Sequence, residues 1–176
     1  MPRNCSAHDY SALIRKWRAL SKKTPLRVGK VSTPKSLPFF EVTNGLLSRE
    51  KPCLYISAGI HGDEPAPCWA LLEWAEKNHG LLQDFPVLFY PCLNPWGFVH
   101  NSRLDEYGED LNRIWGNEHH PLTEQIFKRI KGLSFFLSLN LHEDFDANGI
   151  YIYEPYRGGR TDRCTNQILQ AGKKFL

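Results

Sequence analysis

"CLYISAGIHGDEPAP", residues 53–67, is the stretch that decides how this chain is read. It starts as an unbroken apolar run, turns at Gly59, and then sets His61, Gly62, Asp63 and Glu64 side by side. Continuous apolar character over about 4–8 residues, closed by turn formers, predicts a strand buried on both faces. Pro65 suits a helix first turn, and 66–79 predicts a helix carrying Trp69, Leu72 and Ala75 toward a core. Strand, polar loop and helix form the repeating unit of an α/β sheet, where ligands bind beyond the carboxyl ends of the strands.

The same pattern recurs outward from this stretch. "VLFYPCLN" (87–94) predicts the next buried strand, and "SFFLSLNLH" (134–142), after a helix at 121–131, a further one. "GIYIYEP" (149–155) predicts another strand, and 161–175 a final helix. Upstream, 7–22 is helical by its spacing of Tyr10, Leu13, Ile14, Trp17 and Leu20, and 25–32 and 37–44 are short strands joined across Pro34–Lys35. Residues 95–120 are expected to be loop-rich, punctuated by Gly97, Gly108 and Gly116, with His119 and His120 exposed before Pro121. The fold expected from this alternation is an α/β sheet with helices on its faces.

Bulk properties narrow the function classes. With 176 residues, 41% hydrophobic and 23% charged, the chain is long enough for one domain with a real core. Nine Lys/Arg stand against Asp9 alone in residues 1–36, leaving 13 basic and 18 acidic residues in the rest. That asymmetry fits a basic arm for nucleic acid or anionic lipid, but the helical spacing favours a solvated helix face, so neither nucleic acid nor membrane is expected as a partner. Five scattered cysteines, with Cys53 and Cys92 inside apolar runs, predict buried thiols in a reducing compartment and hence a cytoplasmic protein. No run approaches a membrane span.

Three polar groups end three strands: His61 and Glu64 after the first, Asn94 after the second, and His142 after the third. His-x-x-Glu in such a loop can place an imidazole and a carboxylate on one cation, and a distant histidine completes the His₂Glu set of a catalytic zinc. The plain alternatives are a surface histidine at 61 and an acidic first-turn residue at 64.

The set H-G-D-E (61–64), N-P-W-G (94–97), the Arg of "NSR" (103), D-L-N-R (110–113) and "LNLHED" (139–144) resembles the carboxypeptidase A-type zinc metallopeptidases and their succinylglutamate desuccinylase/aspartoacylase branch. The resemblance covers residues 53–155 in the family's order, and it implies an α/β fold with an open mixed, mostly parallel sheet and helices on both faces. It implies one zinc held by His61, Glu64 and His142. It implies that Asp110 fixes the tautomer of His61, that Arg103 faces the scissile carbonyl oxygen, and that Asn112 and Arg113 grip a terminal carboxylate. Without it, Arg103 reads equally as a solvated loop charge and Asp110 as an N-cap for 111–115. Glu106, Glu109, Asp144 and Asp146 make the surroundings acidic, which suits amine-bearing substrates or simply a solvated loop.

The expected activity is hydrolysis of an amide or peptide bond next to a free carboxylate, on peptide or acyl-amino-acid substrates. N-P-W-G favours the peptidase side over an N-acyl-amino-acid deacylase. The family also places a general-base glutamate well after the last ligand. Only Glu143 and Glu154 follow His142 here, and neither matches. The expectation is therefore a single carboxypeptidase-like domain over 1–176, C-terminally incomplete, with a non-catalytic zinc-binding module as the third reading.

Overall fold

Alternation of side chains along the strands sorts the core into two layers. The computed structural model describes residues 6–31, 37–117, 119–155 and 162–175, and the chain divides into two compact units after Glu143. In the first unit, β1 (Arg27–Val31), β2 (Phe39–Thr43), β3 (Cys53–Ala58), β4 (Val87–Tyr90) and β5 (Phe135–Leu141) form one sheet in the order β1-β2-β4-β3-β5. The pairs β1–β2 and β2–β4 are antiparallel, while β4–β3 and β3–β5 are parallel. The sheet is therefore open and mixed, as the family resemblance implies, with two of its four pairings parallel rather than most of them. The expected Pro34–Lys35 connection lies outside the described residues.

Leu54, Ile56, Val87 and Phe89 point to one face, where α1 (Tyr10–Ser21) contributes Leu13 and Trp17 and α2 (Ala66–Asn78) contributes Leu71 and Leu72. Tyr55, Leu88 and Tyr90 point to the other face, covered by Leu122 and Ile126 of α4 (Pro121–Ile130). β3 and β4 are buried at every position, which explains why their sequences are apolar without alternation.

Three local readings are corrected. β5 alternates between half-buried and exposed residues, because one of its faces is open, and among the described residues it pairs with β3 alone. Residues 151–155 are not a strand, and Tyr153 stands 91% exposed. The stretch after β4 is not all loop: α3 (Pro95–His100) begins where the Asn94 side chain accepts the Gly97 N–H at 2.8 Å. Asn followed by Pro is an N-cap and first-turn signal that the apolar-periodicity reading passed over.

The second unit holds α5 (Arg163–Gly172) and a short 3₁₀ turn, Lys173–Phe175. Asp162 caps α5 by accepting the Cys164 N–H at 2.7 Å, and Ile150 packs against Gly172. Among the described residues, no helix is long and apolar enough to cross a membrane.

Trp17 is fully buried, and its indole N–H has no partner among the described residues. Trp17→Ala should lower the unfolding free energy by about 3–5 kcal/mol, the usual cost of emptying a large core site. Trp17→Phe should cost clearly less, since it keeps most of the volume and removes the orphan donor. Urea unfolding of both variants is the measurement.

Candidate metal centre

The carboxyl ends of β3 and β5 lie next to each other because the two strands pair in parallel, Ala58 opposite Leu141. The chain leaving β3 carries His61 and Glu64, and the chain leaving β5 carries His142. Their ligand atoms converge within 4.8 Å of one another. His61 Nδ1 is 2.7 Å from Glu64 Oε1, His142 Nδ1 is 2.9 Å from Glu64 Oε2, and the two imidazole rings stand 5.0 Å apart. Two histidines, one three residues from Glu64 and the other 78 residues away, meet around its carboxylate.

Backbone contact holds the first loop in place. A Cβ on Gly62 would lie 1.9 Å from the Gly97 carbonyl carbon and 2.2 Å from the Phe98 nitrogen. A Cβ on Gly97 would in turn meet Asn94 Nδ2 at 2.3 Å and Ser102 O at 2.6 Å. The Gly62 N–H donates to Ser102 O at 3.0 Å, and the Ser102 N–H to Gly97 O at 2.9 Å. The glycine of H-G-D-E is thus required for close approach to the glycine of N-P-W-G. The sequence alone suggests only backbone freedom there.

Asp110 and Arg103 close the other side. Asp110 Oδ1 is 3.2 Å from His61 Nε2 and also accepts the Asn112 and Arg113 N–H groups at 3.0 and 3.3 Å. Residues 111–115 form turns rather than the helix that an N-cap at Asp110 would begin, and the Asp110 side chain holds that turn while it meets His61. Arg103 Nε donates to Asp110 Oδ2 at 2.9 Å, and its Nη1 lies 3.3 Å from His61 Nδ1 and 3.9 Å from Glu64 Oε1. Asn112 and Arg113 are exposed, with no side-chain hydrogen bond or ion pair to another described residue.

Burial alone would raise the Glu64 carboxyl, but hydrogen bonds from His142, His61 and the Glu143 N–H outweigh it and bring the pKa down to about 2. Burial also opposes ionisation of Asp110, yet the Arg103 contact carries it below the usual carboxylate range. Two carboxylates thus stand near one guanidinium, which leaves negative charge at the site for a further cation. Two imidazole nitrogens and one carboxylate, with a polar side chain behind each imidazole, form a donor set that fits zinc and leaves positions open.

The glutamates after His142 are engaged. Glu143 Oε2 accepts the Ala66 N–H at 3.1 Å, at the start of α2. Glu154, in the second unit, accepts from Thr165 Oγ1 at 2.6 Å and from the Asp162 N–H at 3.3 Å.

His120 differs from its expected exposed position. It is buried, with Nε2 2.8 Å from Asp105 Oδ2, and its Nδ1 accepts the Leu122 N–H as the cap of α4. Pro121 at the first helical position signals that cap. A cavity of about 30 Å³ beside His120, Trp96 and Tyr107 includes none of the three converging residues.

Among known proteins, the profile of the succinylglutamate desuccinylase/aspartoacylase catalytic domain matches residues 50–146. Cytosolic carboxypeptidase 1 of Gallus gallus is 32% identical over 98 residues, 51% of this chain and 8% of that protein. Its Danio rerio counterpart is 31% identical over 87 residues, covering 45% and 8%. A metallopeptidase candidate from Shewanella denitrificans OS217 has a TM-score of 0.78 at 23% identity, covering 93% of this chain and 64% of that one. The Pseudomonas aeruginosa metallo-carboxypeptidase in complex with (2-guanidinoethylmercapto)succinic acid has a TM-score of 0.64 at 19% identity, covering 77% and 40%. The structural likenesses carry the fold alone. The chain spans 8% of the length of the cytosolic carboxypeptidases it matches.

Gly62→Ala should destabilise by about 2 kcal/mol or more, since backbone rather than a flexible side chain must give way. Gly116→Ala, with nothing within 4 Å of the added carbon, should stay within about 1 kcal/mol in the same denaturant titration. Glu64 also sets a pH dependence. A carboxyl with a depressed folded pKa stabilises above its unfolded value and loses that contribution as pH falls through the folded one. Chelator-treated protein should therefore lose stability between about pH 4.5 and 2, and Glu64→Gln should lack that step.

Proposed function

Because the chain belongs to the succinylglutamate desuccinylase/aspartoacylase catalytic-domain family, we propose that it carries the metal centre of a zinc-dependent hydrolase. The bond cut is an amide or peptide bond next to a free carboxylate. The observation that carries the proposal is the convergence of His61, Glu64 and His142 within 4.8 Å, with Asp110 behind His61. His61 and His142 would ligate through Nδ1, the atoms already turned to Glu64. Bound zinc supplies Lewis acidity, polarising the substrate carbonyl and acidifying water near neutral pH.

The remaining steps fall to side chains. Asp110 accepts the Nε2 proton of His61, which leaves Nδ1 free to ligate. Arg103, hinged on Asp110 and half-exposed, is placed to donate to the oxygen of the attacked carbonyl. Asn112 and Arg113 follow directly, and their exposed side chains suit capture of a terminal carboxylate by a planar fork. Glu143 holds the start of α2 and is a poor proton carrier, so acid–base help from this chain is weak.

A carboxypeptidase reading is supported by the cytosolic carboxypeptidase relatives, and an acyl-amino-acid deacylase reading by the matched profile. Three buried, unpaired thiols, Cys53, Cys68 and Cys92, support a cytoplasmic setting.

The purified protein should hold one zinc per chain, and His61→Ala should lose it. Equal zinc in both would overturn the assignment. Arg113→Ala should weaken binding of a peptide ending in a free carboxylate by roughly tenfold or more, and of its amidated version little. Arg113→Lys should restore binding poorly, because a point charge does not reproduce the fork. Running an N-acyl amino acid beside the peptide separates deacylase from peptidase.

A further inference from the structure

Behind His142 lies a polar chain that the site as described leaves out. Ser57 on β3 and Asn140 on β5 are direct partners across the parallel pair. Ser57 Oγ is 3.0 Å from Asn140 Oδ1, and Asn140 Nδ2 is 3.0 Å from His142 Nε2. His142 Nδ1 faces Glu64 Oε2 at 2.9 Å. Ser57 is 1% exposed and lies between two apolar neighbours, Ile56 and Ala58. A cross-strand bond satisfying a buried hydroxyl would explain the serine alone. It does not explain why the other end of the amide meets an imidazole nitrogen.

Resting on the reading of His142 as a zinc ligand through Nδ1, we propose that Ser57 and Asn140 form a positioning relay that selects the ligating tautomer of His142. A neutral imidazole carries one N–H. If Nδ1 ligates, the proton sits on Nε2 and needs an acceptor there, and Asn140 is the side chain at that nitrogen. A half-turn of the amide exchanges its oxygen and nitrogen at nearly the same positions. Oδ1 then accepts the Nε2–H, and Nδ2 donates to Ser57 Oγ. A hydroxyl accepts as readily as it donates, so Ser57 keeps its bond in either orientation. Ser57 thereby keeps the amide bonded after that turn, with Oδ1 presented to the Nε2–H that the ligating tautomer carries.

The relay is the neutral counterpart of the bond between Asp110 and His61. One imidazole rests on a carboxylate and the other on an amide. A second charged acceptor would add negative charge around the cation, tightening its binding and blunting its Lewis acidity. The amide fixes orientation without that charge.

The test is zinc affinity of the full chain, measured by competition with a chromophoric chelator, with circular dichroism as the check on folding. Asn140→Ala should bind zinc roughly 10–100-fold more weakly, the usual consequence of losing the group behind a ligating histidine. Ser57→Ala should give a smaller loss, and the double variant should match Asn140→Ala, because the two act in series. Asn140→Asp, nearly isosteric, keeps the acceptor and should bind zinc at least as tightly as the parent, which guards against a simple packing effect. In ¹⁵N spectra of the zinc-loaded protein, His142 should carry its proton on Nε2. Parent-like zinc affinity in Asn140→Ala, together with loss of zinc in His142→Ala, would overturn the relay and leave the metal reading standing. Parent-like affinity in His142→Ala would overturn both. Equal weakening in Asn140→Asp and Asn140→Ala would also overturn the relay.

Discussion

The backbones of Gly62 and Gly97 touch with no room for a side chain on either, and the geometry of the centre depends on that contact. It pins the loop after β3 against the start of α3, which is itself capped by Asn94 at the end of the next strand. Leu93 and Asn94 extend the hydrogen bonding past the end of β4, donating to Ala58 and Gly59 at 2.9 and 2.8 Å. Two neighbouring strand ends are thereby locked in register before any ligand chemistry is considered. His61, one residue before Gly62, inherits its position from that lock.

Glu64 is the second organising element. Its two oxygens take one histidine each, so the carboxylate joins the β3 loop to the β5 end, and the Glu143 N–H adds a third bond at 3.0 Å. The Glu143 side chain returns to the Ala66 N–H at the start of α2, which ties β5 to the helix that follows Glu64. Charge, capping and ligand placement here are a single network. A group so heavily hydrogen-bonded stays ionised despite its burial, which keeps it available to a cation.

Some of this was legible from residues alone. The uninterrupted apolar runs at 53–60 and 87–94 announce central strands because both of their faces are covered. The helical spacing of Leu13 and Trp17 announces α1, and His61, Glu64 and His142 stand out as polar groups at strand ends. Other features escaped for definite reasons. α3 has only six residues, too few for periodicity to register. "SFFLSLNLH" is as apolar as a central strand, yet among the described residues β5 pairs with β3 alone, because composition does not say how many neighbours a strand has. "GIYIYEP" alternates like a strand, but no strand pairs with it among the described residues.

Spacing within a few residues is written in the chain, and it determined α1, α2, α4, the central strands β3 and β4, and the His-x-x-Glu loop. Tertiary structure decided what depends on partners tens of residues away. It brought Gly62 against Gly97, seated His120 on Asp105, and set Asn140 between Ser57 and His142. The physical reason is that local preference acts through the backbone's own neighbours. Register, close approach and hydrogen-bond partnership arise only when distant segments are packed together, and any polar residue at such a position looks like an ordinary surface residue until they are.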